Sequence, residues 1–211
     1  RELECRKVDP SKIMVTGIPV EPIFSKPLDR AKIFKTTNLR DDLFTILVIG
    51  GGFGVGPIEG ITRVIAKIPK NIQMVDVCGH NDELVKKMEK LKGDLKLNMK
   101  VLGFIDNVYE YMEISDILIS KSGGITVSES LAKDIPMVII SPILGQETGN
   151  SDFLIKNGAA IKVKKLDDLK TTLEDLLASP YKIEKMKDSI KAIRKPTAAY
   201  DVARIAYEYS K

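Results

Sequence analysis

Short apolar runs alternate with helical patterns from about residue 45 onward. Uninterrupted runs such as TILVI and PMVII are typical of strands that are buried on both faces. Between them, segments such as PIEGITRVIAKI and DELVKKMEKLK repeat apolar residues at helical spacing. This alternation predicts an α/β fold, a Rossmann-like parallel sheet with helices on both faces. The predicted strands are TILVIGG, IQMVDVCG, MKVLGF, DILIS, PMVIIS and AAIKV.

The end of the chain is predicted to be helical, over residues 166–177, 183–193 and 198–209. The last of these helices carries an apolar stripe that includes Val202, Ile205 and Tyr209. Apolar stripes at helical spacing usually pack into a core, so core packing is the first expectation for this helix.

The first 44 residues do not follow the alternation. VDPSKIMVTGIPVEPIF predicts a short extended piece that its prolines interrupt, and the stretch after it a connection or a short helix. We interpret residues 1–25 as a linker remnant and residues 26–211 as the main domain.

Composition narrows the class of protein. The 211 residues are 44% hydrophobic and 29% charged, which is ordinary for a globular domain. Cys5 and Cys78 lie far apart without metal-ligand spacing, so neither a disulfide framework nor a zinc site is predicted, and a cytoplasmic setting is expected. No apolar run reaches the length of a membrane span. The diffuse net charge of +4 does not indicate nucleic acid.

Right-handed crossovers bring the loops that follow parallel strands to one sheet edge. The first such loop is GGGFGVGP, with Gly52, Phe53 and Gly54 at its centre. Glycines let backbone N–H groups approach a phosphate, but the spacing does not fit the dinucleotide fingerprint. A purely steric need for glycine in a tight turn is an equally good explanation.

The second loop, CGHND, holds His80, the chain's one histidine. It could donate a hydrogen bond to a phosphate or act as an acid or base. A histidine that merely caps local structure is at least as good an explanation.

The third loop, Ser122-Gly123-Gly124, opens a helix that contains Thr126 and Glu129. The free N–H groups of a helix N-terminus attract anions. Side chains lean toward the helix N-terminus, so Glu129 can reach back and accept hydrogen bonds from paired ribose hydroxyls. Alternatively, Glu129 only stabilises the helix dipole.

The fourth loop, SPILGQETGN, concentrates Gln146, Glu147 and Asn150. Amides and a carboxylate in one rigid loop are suited to the hydroxyl groups of a sugar. A solvated loop, with Asn150 capping a helix over about 150–156, is the alternative. Together, the four loops have the order that a nucleotide sugar requires.

These residues also resemble a known family. GGGFGVGP, VCGHN, GFIDNVYEYMEISDILISKSGGITVSESLAKDIPMVI and ILGQETGNSDFL are similar to the carboxyl-terminal half of the monogalactosyldiacylglycerol synthase family. That group includes the processive diacylglycerol glucosyltransferases and, more distantly, the N-acetylglucosaminyl transferase that makes lipid II. The resemblance implies one half of a two-domain (GT-B type) glycosyltransferase whose amino-terminal half binds the lipid acceptor and the membrane.

The resemblance also implies roles for individual residues. Glu129 would hold the ribose, Gln146 and Glu147 the sugar, and the backbone at Phe104 and Ile105 the uracil. The diphosphate would lie between residues 52–54 and 122–124, with His80 nearby, although Arg or Lys is expected at that position. Asn150 would support the sugar loop. No cofactor or metal is expected, and the catalytic base is expected in the other domain.

The implied function is transfer of a hexose, with inversion, from UDP-glucose, UDP-galactose or UDP-N-acetylglucosamine to a lipid such as diacylglycerol. The whole protein would lie in the cytoplasm, peripheral at the inner face of the membrane. The fragment alone is expected to be inactive. A UDP-sugar epimerase of similar architecture and a non-catalytic nucleotide-binding module are the alternatives.

Overall fold

A six-stranded parallel sheet organises the part of the chain that the structure describes. The structure is a computed structural model, and it describes residues 2–68, 71–95, 97–140 and 146–211. The strands follow the order β3-β2-β1-β4-β5-β6. They are β1 (Phe44–Ile49), β2 (Ile72–Val77), β3 (Met99–Leu102), β4 (Ile117–Ser120), β5 (Met137–Ile140) and β6 (Ala160–Val163).

Helices follow the strands, as the alternation predicts. They are α1 (Glu2–Cys5), α2 (Arg30–Thr37), α3 (Ile58–Ile65), α4 (Asp82–Leu95), α5 (Val108–Ile114), α6 (Gly124–Ala132), α7 (Gln146–Lys156), α8 (Leu166–Ala178), α9 (Pro180–Ile193) and α10 (Ala198–Tyr209). Two short 3-10 helices, Pro10–Lys12 and Pro22–Ser25, lie in the amino-terminal segment.

Both faces of the sheet are covered by apolar side chains. Alternate strand residues point to opposite faces, so Ile46 packs with α3, α4 and α8, whereas Leu47 packs with α2, α5 and α6. Every residue of β2, β4 and β5 is buried, which explains their continuous apolar runs. The α9 helix contributes Met186 to one core and Ile190 to the other. The Rossmann-like fold predicted from the sequence is confirmed.

The direction of winding reverses between β1 and β4. The chain passes from β1 to β2 and β3 on one side, then returns to place β4 against the other edge of β1. The loops after β1 and β4 therefore diverge and leave a crevice at the carboxyl edge. Ligands of open α/β sheets bind at such a switch point.

The polar residues predicted to form the fourth loop lie in a helix instead. The α7 helix begins at Gln146, four residues before the predicted start, so Glu147 and Asn150 belong to its first turns. Residues 141–145 of that predicted loop lie outside the described residues. Gly149 and Asn150 are poor helix formers, but long-range hydrogen bonds hold this turn: Ser122 Oγ donates to the Glu147 carbonyl and Asn150 Nδ2 donates to the Ser122 carbonyl.

The apolar stripe of α10 does not pack into the core. Ala198 is the one residue of this helix that is buried, while Val202 and Tyr209 are exposed. The expectation of core packing is wrong for most of the helix: Ile205 is only partly buried, in an open crevice that it shares with Met14 and Val15 of the amino-terminal segment. Periodicity identifies an apolar face but not what covers it.

The amino-terminal segment packs against the domain at particular points. Phe24 is buried in the core and contacts Tyr109 of α5. Gly17 has a φ of +87° and lies so close to Lys195 that an added Cβ would be 2.8 Å from the Lys195 Cβ. Whether residues 1–25 are a linker remnant stays a prediction.

Candidate functional site

The loop after β1 forms a tight glycine turn. Gly54 donates its N–H to the Gly51 carbonyl at 3.0 Å, and Val55 donates to the Gly50 carbonyl at 2.8 Å. Gly51 and Gly54 have φ values of +75° and +62°, a region that favours glycine. The turn leads directly into α3.

Close contact with the loop after β2 explains some of the glycines sterically. A Cβ on Gly54 would lie 2.2 Å from the Cys78 carbonyl oxygen, and one on Gly79 would lie 2.4 Å from the Gly52 carbonyl oxygen. By contrast, a Cβ on Gly51 or Gly52 would meet nothing within 4 Å. Gly54 and Gly79 therefore allow the two loops to approach, whereas Gly51 and Gly52 leave space for a ligand.

His80 joins this loop pair to the loop after β3. Its backbone N–H donates to the Gly52 carbonyl at 2.9 Å. Its imidazole stacks on the Phe104 ring, with 4.1 Å between the ring centroids and 11° between the planes. Both side chains are exposed at the sheet edge. The helix cap in this loop is Asn81, whose side chain accepts the N–H of Leu84, so His80 is not the capping residue.

The α6 helix begins without a side-chain cap. Gly123 occupies the N-cap position, so the first N–H groups of the helix are not capped by a side chain. Ser122 is fully buried, and its hydroxyl is used to hold α7. An added Cβ on Gly123 would lie 4.0 Å from Oε1 of Glu147, so the Glu147 carboxylate lies beside this N-terminus. Only the backbone of Gln146 is described.

Glu129 lies in the second turn of α6 and is largely buried. Burial, and secondarily the negative charge of Glu21, raises the pKa of the Glu129 carboxyl to about 7. Dipole stabilisation falls off within the first turn of a helix, and α6 has no acidic residue there. Stabilisation of the helix dipole therefore does not explain a carboxyl group at this position.

These elements enclose a cavity of about 600 Å³ at the sheet switch point. Five of the residues predicted from the sequence line it: Gly52, Phe104, Ile105, Thr126 and Glu129. The other predicted residues lie around its rim or in its supporting contacts: Phe53, Gly54, His80, Ser122, Gly123, Gly124, Glu147 and Asn150. The first three predicted loops thus meet at one edge.

Charged residues of this site were missed by the reasoning from sequence. Glu21 and Asp106 line the cavity together with Glu129, and the lining residues that the structure describes include no Lys or Arg. Lys121 lines a smaller crevice beside the cavity, between Gly50 and the end of β4. Lys121 could have been identified from the sequence as a site residue, because it lies directly before Ser-Gly-Gly at the end of a predicted strand. Glu21 offered none, because it lies in the segment interpreted as a linker.

No metal site is evident in the described ranges, where no group of three or more His, Cys, Asp or Glu side chains is placed to hold an ion. The expectation of no metal and no cofactor stays a prediction. None of the helices in these ranges is long and apolar enough to cross a membrane.

Comparison with known proteins identifies the family. The model of the glycosyltransferase family 28 C-terminal domain matches residues 45–203. The chain belongs to this family. The family 28 match covers every described strand except the first residue of β1, and it includes all the loops that enclose the cavity except that of Glu21.

Named relatives of this family 28 domain are glycosyltransferases. The processive diacylglycerol beta-glucosyltransferase of Bacillus subtilis (strain 168) is 32% identical over 184 residues, which are 86% of this chain and 48% of that protein. The chloroplastic monogalactosyldiacylglycerol synthase 1 of Arabidopsis thaliana is 30% identical over 210 residues, 95% of this chain and 39% of that protein. The chain therefore spans half or less of the length of these two relatives. The family resemblance predicted from the sequence is confirmed.

Solved structures share the fold of the family 28 domain. The crystal structure of Acinetobacter baumannii MurG has a TM-score of 0.69 and 19% identity, and it covers 94% of this chain and 58% of that one. The S. aureus MnaA-UDP co-structure has a TM-score of 0.75 and 14% identity, and it covers 99% of this chain and 57% of that one. At these identities the likeness shows the fold alone.

Proposed function

We propose that this chain is the donor-binding domain of an inverting glycosyltransferase that moves a hexose from a UDP-sugar to a lipid acceptor such as diacylglycerol. The observation that carries the proposal is the cavity at the switch point, which the open backbone of Gly51 and Gly52 and the partly buried carboxyl of Glu129 line together. Two relatives are named as a diacylglycerol glucosyltransferase and a monogalactosyldiacylglycerol synthase, and these names support a lipid as the acceptor.

A nucleoside fits the acidic side of the cavity. Uracil has a donor and acceptors on one edge, which suit the backbone groups at Phe104 and Ile105. Ribose then brings two adjacent hydroxyl groups to Glu129, whose ionised carboxylate accepts from both. The Thr126 hydroxyl lines the same cavity.

The diphosphate belongs where free N–H groups concentrate. The N-terminus of α6 and the backbone at Gly51 and Gly52 provide partial positive charge without a metal. Lys121 supplies a full positive charge nearby. The hexose would then lie toward α7, where Glu147 flanks the α6 N-terminus and Gln146 begins the helix.

This placement explains how the domain would assist transfer. The acceptor hydroxyl attacks the anomeric carbon on the face opposite the phosphate and gives its proton to the catalytic base, while the bond from that carbon to the phosphate oxygen breaks and UDP leaves with the electron pair. Negative charge grows on the β-phosphate, where the helix N-terminus stabilises it. We assign the catalytic base, the acceptor site and peripheral contact with the cytoplasmic face of the membrane to the rest of the whole protein.

Calorimetric titration tests the donor proposal. UDP should bind this chain more tightly than ADP does, and UDP-glucose, UDP-galactose and UDP-N-acetylglucosamine should bind and be competed by UDP. The tightest of the three identifies the sugar. Absence of binding by any uridine nucleotide at about millimolar concentration, a Kd that corresponds to only about −4 kcal/mol, would contradict the proposal.

Two other functions are distinguishable by a second assay. A UDP-sugar epimerase would convert its sugar without acceptor, and a non-catalytic module would bind UDP without turnover. Incubation of the whole protein with UDP-sugar and diacylglycerol in vesicles should yield glycolipid and UDP. Sugar conversion without acceptor would instead favour the epimerase.

A further inference from the structure

Glu21 lies in the amino-terminal segment but lines the same cavity as Glu129. It is the N-cap residue of the 3-10 helix Pro22–Ser25, and this helix contacts α6. Neighbouring contacts fix its place. Phe24 is buried and meets Tyr109 edge-to-face at 6.0 Å between centroids, and Ser25 Oγ donates to the Pro196 carbonyl at 2.6 Å.

The two carboxyl groups influence each other across the cavity. Burial is the larger reason that the pKa of Glu129 rises to about 7, and the charge of Glu21 is the second. Glu21 itself is exposed. Two carboxylates that line one cavity repel each other, so the negative charge of Glu21 disfavours the ionised form of Glu129.

Two basic residues near the end of α6 are engaged in other contacts. Lys133, one turn further along α6, is buried and donates to Glu113 Oε2 at 2.6 Å and to the Lys26 carbonyl at 2.8 Å. Arg194 pairs with Asp134 at 2.6 Å. Acidic side chains on the elements around Glu129 include Glu21, Asp106, Glu110, Glu113 and Glu147. The α7 and α9 helices, which also contact α6, carry the exposed acids Asp152, Glu184 and Asp188, and the last two pair with Lys187 and Lys191. Glu110 accepts a hydrogen bond from Asn107, and Glu113 from Lys133.

We propose that Glu21 is a regulatory residue of the nucleotide site: it favours the neutral form of Glu129 in the free protein, so that nucleotide binding releases a proton and depends on pH. The inference rests on the proposed function, because it takes Glu129 as the ribose ligand. Ribose hydroxyls donate to an ionised carboxylate more strongly than to a neutral carboxyl group, which must also place its own hydrogen.

The sign of the pH dependence follows. Below about pH 7 the free protein holds Glu129 neutral, so UDP binding must expel the proton and weakens as pH falls, by up to about tenfold per pH unit. Above that pH the carboxylate is already formed and the affinity levels off. Without the charge of Glu21, Glu129 ionises at lower pH, so the whole curve of UDP affinity against pH shifts to lower pH.

The experiment is calorimetry with UDP from about pH 5.5 to about pH 8.5, in two buffers of different ionisation enthalpy that report proton release. Glu21→Gln should bind UDP about 2- to 5-fold more tightly than the wild type near pH 6. The gain in affinity should be smaller near pH 8.5, and fewer protons should be released on binding near pH 6.5.

Two matched variants separate this effect from general charge. Asp106→Asn removes a carboxylate that lines the same cavity but does not contribute to the raised pKa of Glu129, so it should change affinity similarly at every pH, without moving the midpoint. Glu184→Gln makes the same substitution on the exposed α9 residue that pairs with Lys187, and should behave as the wild type.

Carbon-13 NMR of the Glu129 carboxyl in the free protein provides a readout without ligand. Its titration midpoint should be lower in Glu21→Gln than in the wild type and unchanged in Glu184→Gln. An unchanged midpoint, or UDP binding whose pH profile is the same in Glu21→Gln and wild type, would overturn the role of Glu21 while leaving the donor site intact. Failure of the wild type to bind UDP at any pH would overturn the donor site itself, together with the coupling.

Discussion

At the residue scale, Glu129 occupies a position that lowers the stability of the free protein but suits a ligand of the ribose. Its carboxyl group is partly buried on the cavity wall, and burial disfavours the ionised form that a ribose would require. Residues that are retained for ligand binding often reduce the stability of the free protein in this way. Binding and stability should therefore respond to its substitution in opposite directions.

Glu129→Gln should weaken UDP binding by about 1–3 kcal/mol, because the amide replaces an ionised acceptor. The pKa of this group is raised in the folded chain, so its contribution to stability is complete below about 4.5 and is lost as pH rises through about 7. Near pH 8.5 the variant should then be at least as stable as the wild type. Calorimetry and urea unfolding measure the two effects. Unchanged UDP affinity would remove Glu129 from the site.

Asp76 is a second buried acid, within β2 and away from the cavity lining. Burial raises the pKa of its carboxyl to about 7. Thr62 Oγ1 lies 3.0 Å from both the Ile58 carbonyl and Asp76 Oδ2, yet one hydroxyl hydrogen can serve only one of them. A neutral Asp76 resolves this conflict by donating its own proton to Thr62.

Asp76→Asn should flatten the dependence of stability on pH. In the wild type, the stability that neutral Asp76 provides is complete below about pH 3.8 and is lost as pH rises through about 7. The Asn amide donates to Thr62 at every pH, so the variant should lose less stability between pH 5 and pH 8, by roughly 1–3 kcal/mol. Urea unfolding at both pH values measures this, with the exposed Asp188→Asn as the control. If the free energy of unfolding changed equally with pH in the wild type, Asp76→Asn and Asp188→Asn, Asp76 would not be neutral in the folded protein.

At the scale of elements, the site depends on the contact between the loops after β1 and β2. The two loops approach so closely that Gly54 and Gly79 have no room for a side chain, while Gly52 faces open space. The same sequence run thus contains glycines for packing and glycines for a ligand. Sequence alone does not separate them, because both kinds appear as turn residues.

Gly79→Ala should lower the free energy of unfolding by more than about 1 kcal/mol, because its φ is +61° and its Cβ would overlap the Gly52 carbonyl. Gly52→Ala is the matched variant: its stability should stay within about 0.5 kcal/mol of the wild type, while UDP binding weakens roughly tenfold. Thermal unfolding and calorimetry distinguish the two. A stable Gly79→Ala protein would show that the loops do not approach as described.

Element patterns explain which boundaries the sequence could predict. Strands with continuous apolar runs and the helices α8 and α9 are found close to where periodicity places them. The start of α7 could not be found in this way, since bonds from Ser122 and Asn150 hold it rather than local propensity. Long-range contacts also bring Glu21 into the cavity, so no local pattern identifies it.

At the scale of the whole molecule, the parallel topology produces the site. Alternating strands and helices were enough to predict that the loops after β1, β2, β3 and β4 share one edge. Glu21 and Asp106 could be assigned to the site only when those loops had three-dimensional positions, whereas the sequence position of Lys121 was itself a signal. We propose that the resulting cavity, which three acidic residues line and which lies beside the uncapped N-terminus of α6, binds a nucleoside diphosphate.

The crystal structure of this chain with UDP tests that claim most directly. The account predicts uracil at the backbone of Phe104 and Ile105, both ribose hydroxyls within about 3 Å of the Glu129 carboxylate, and the diphosphate between Gly52 and the N-terminus of α6. A ribose that makes no contact with Glu129, or UDP bound away from the β1–β4 switch point, would contradict it.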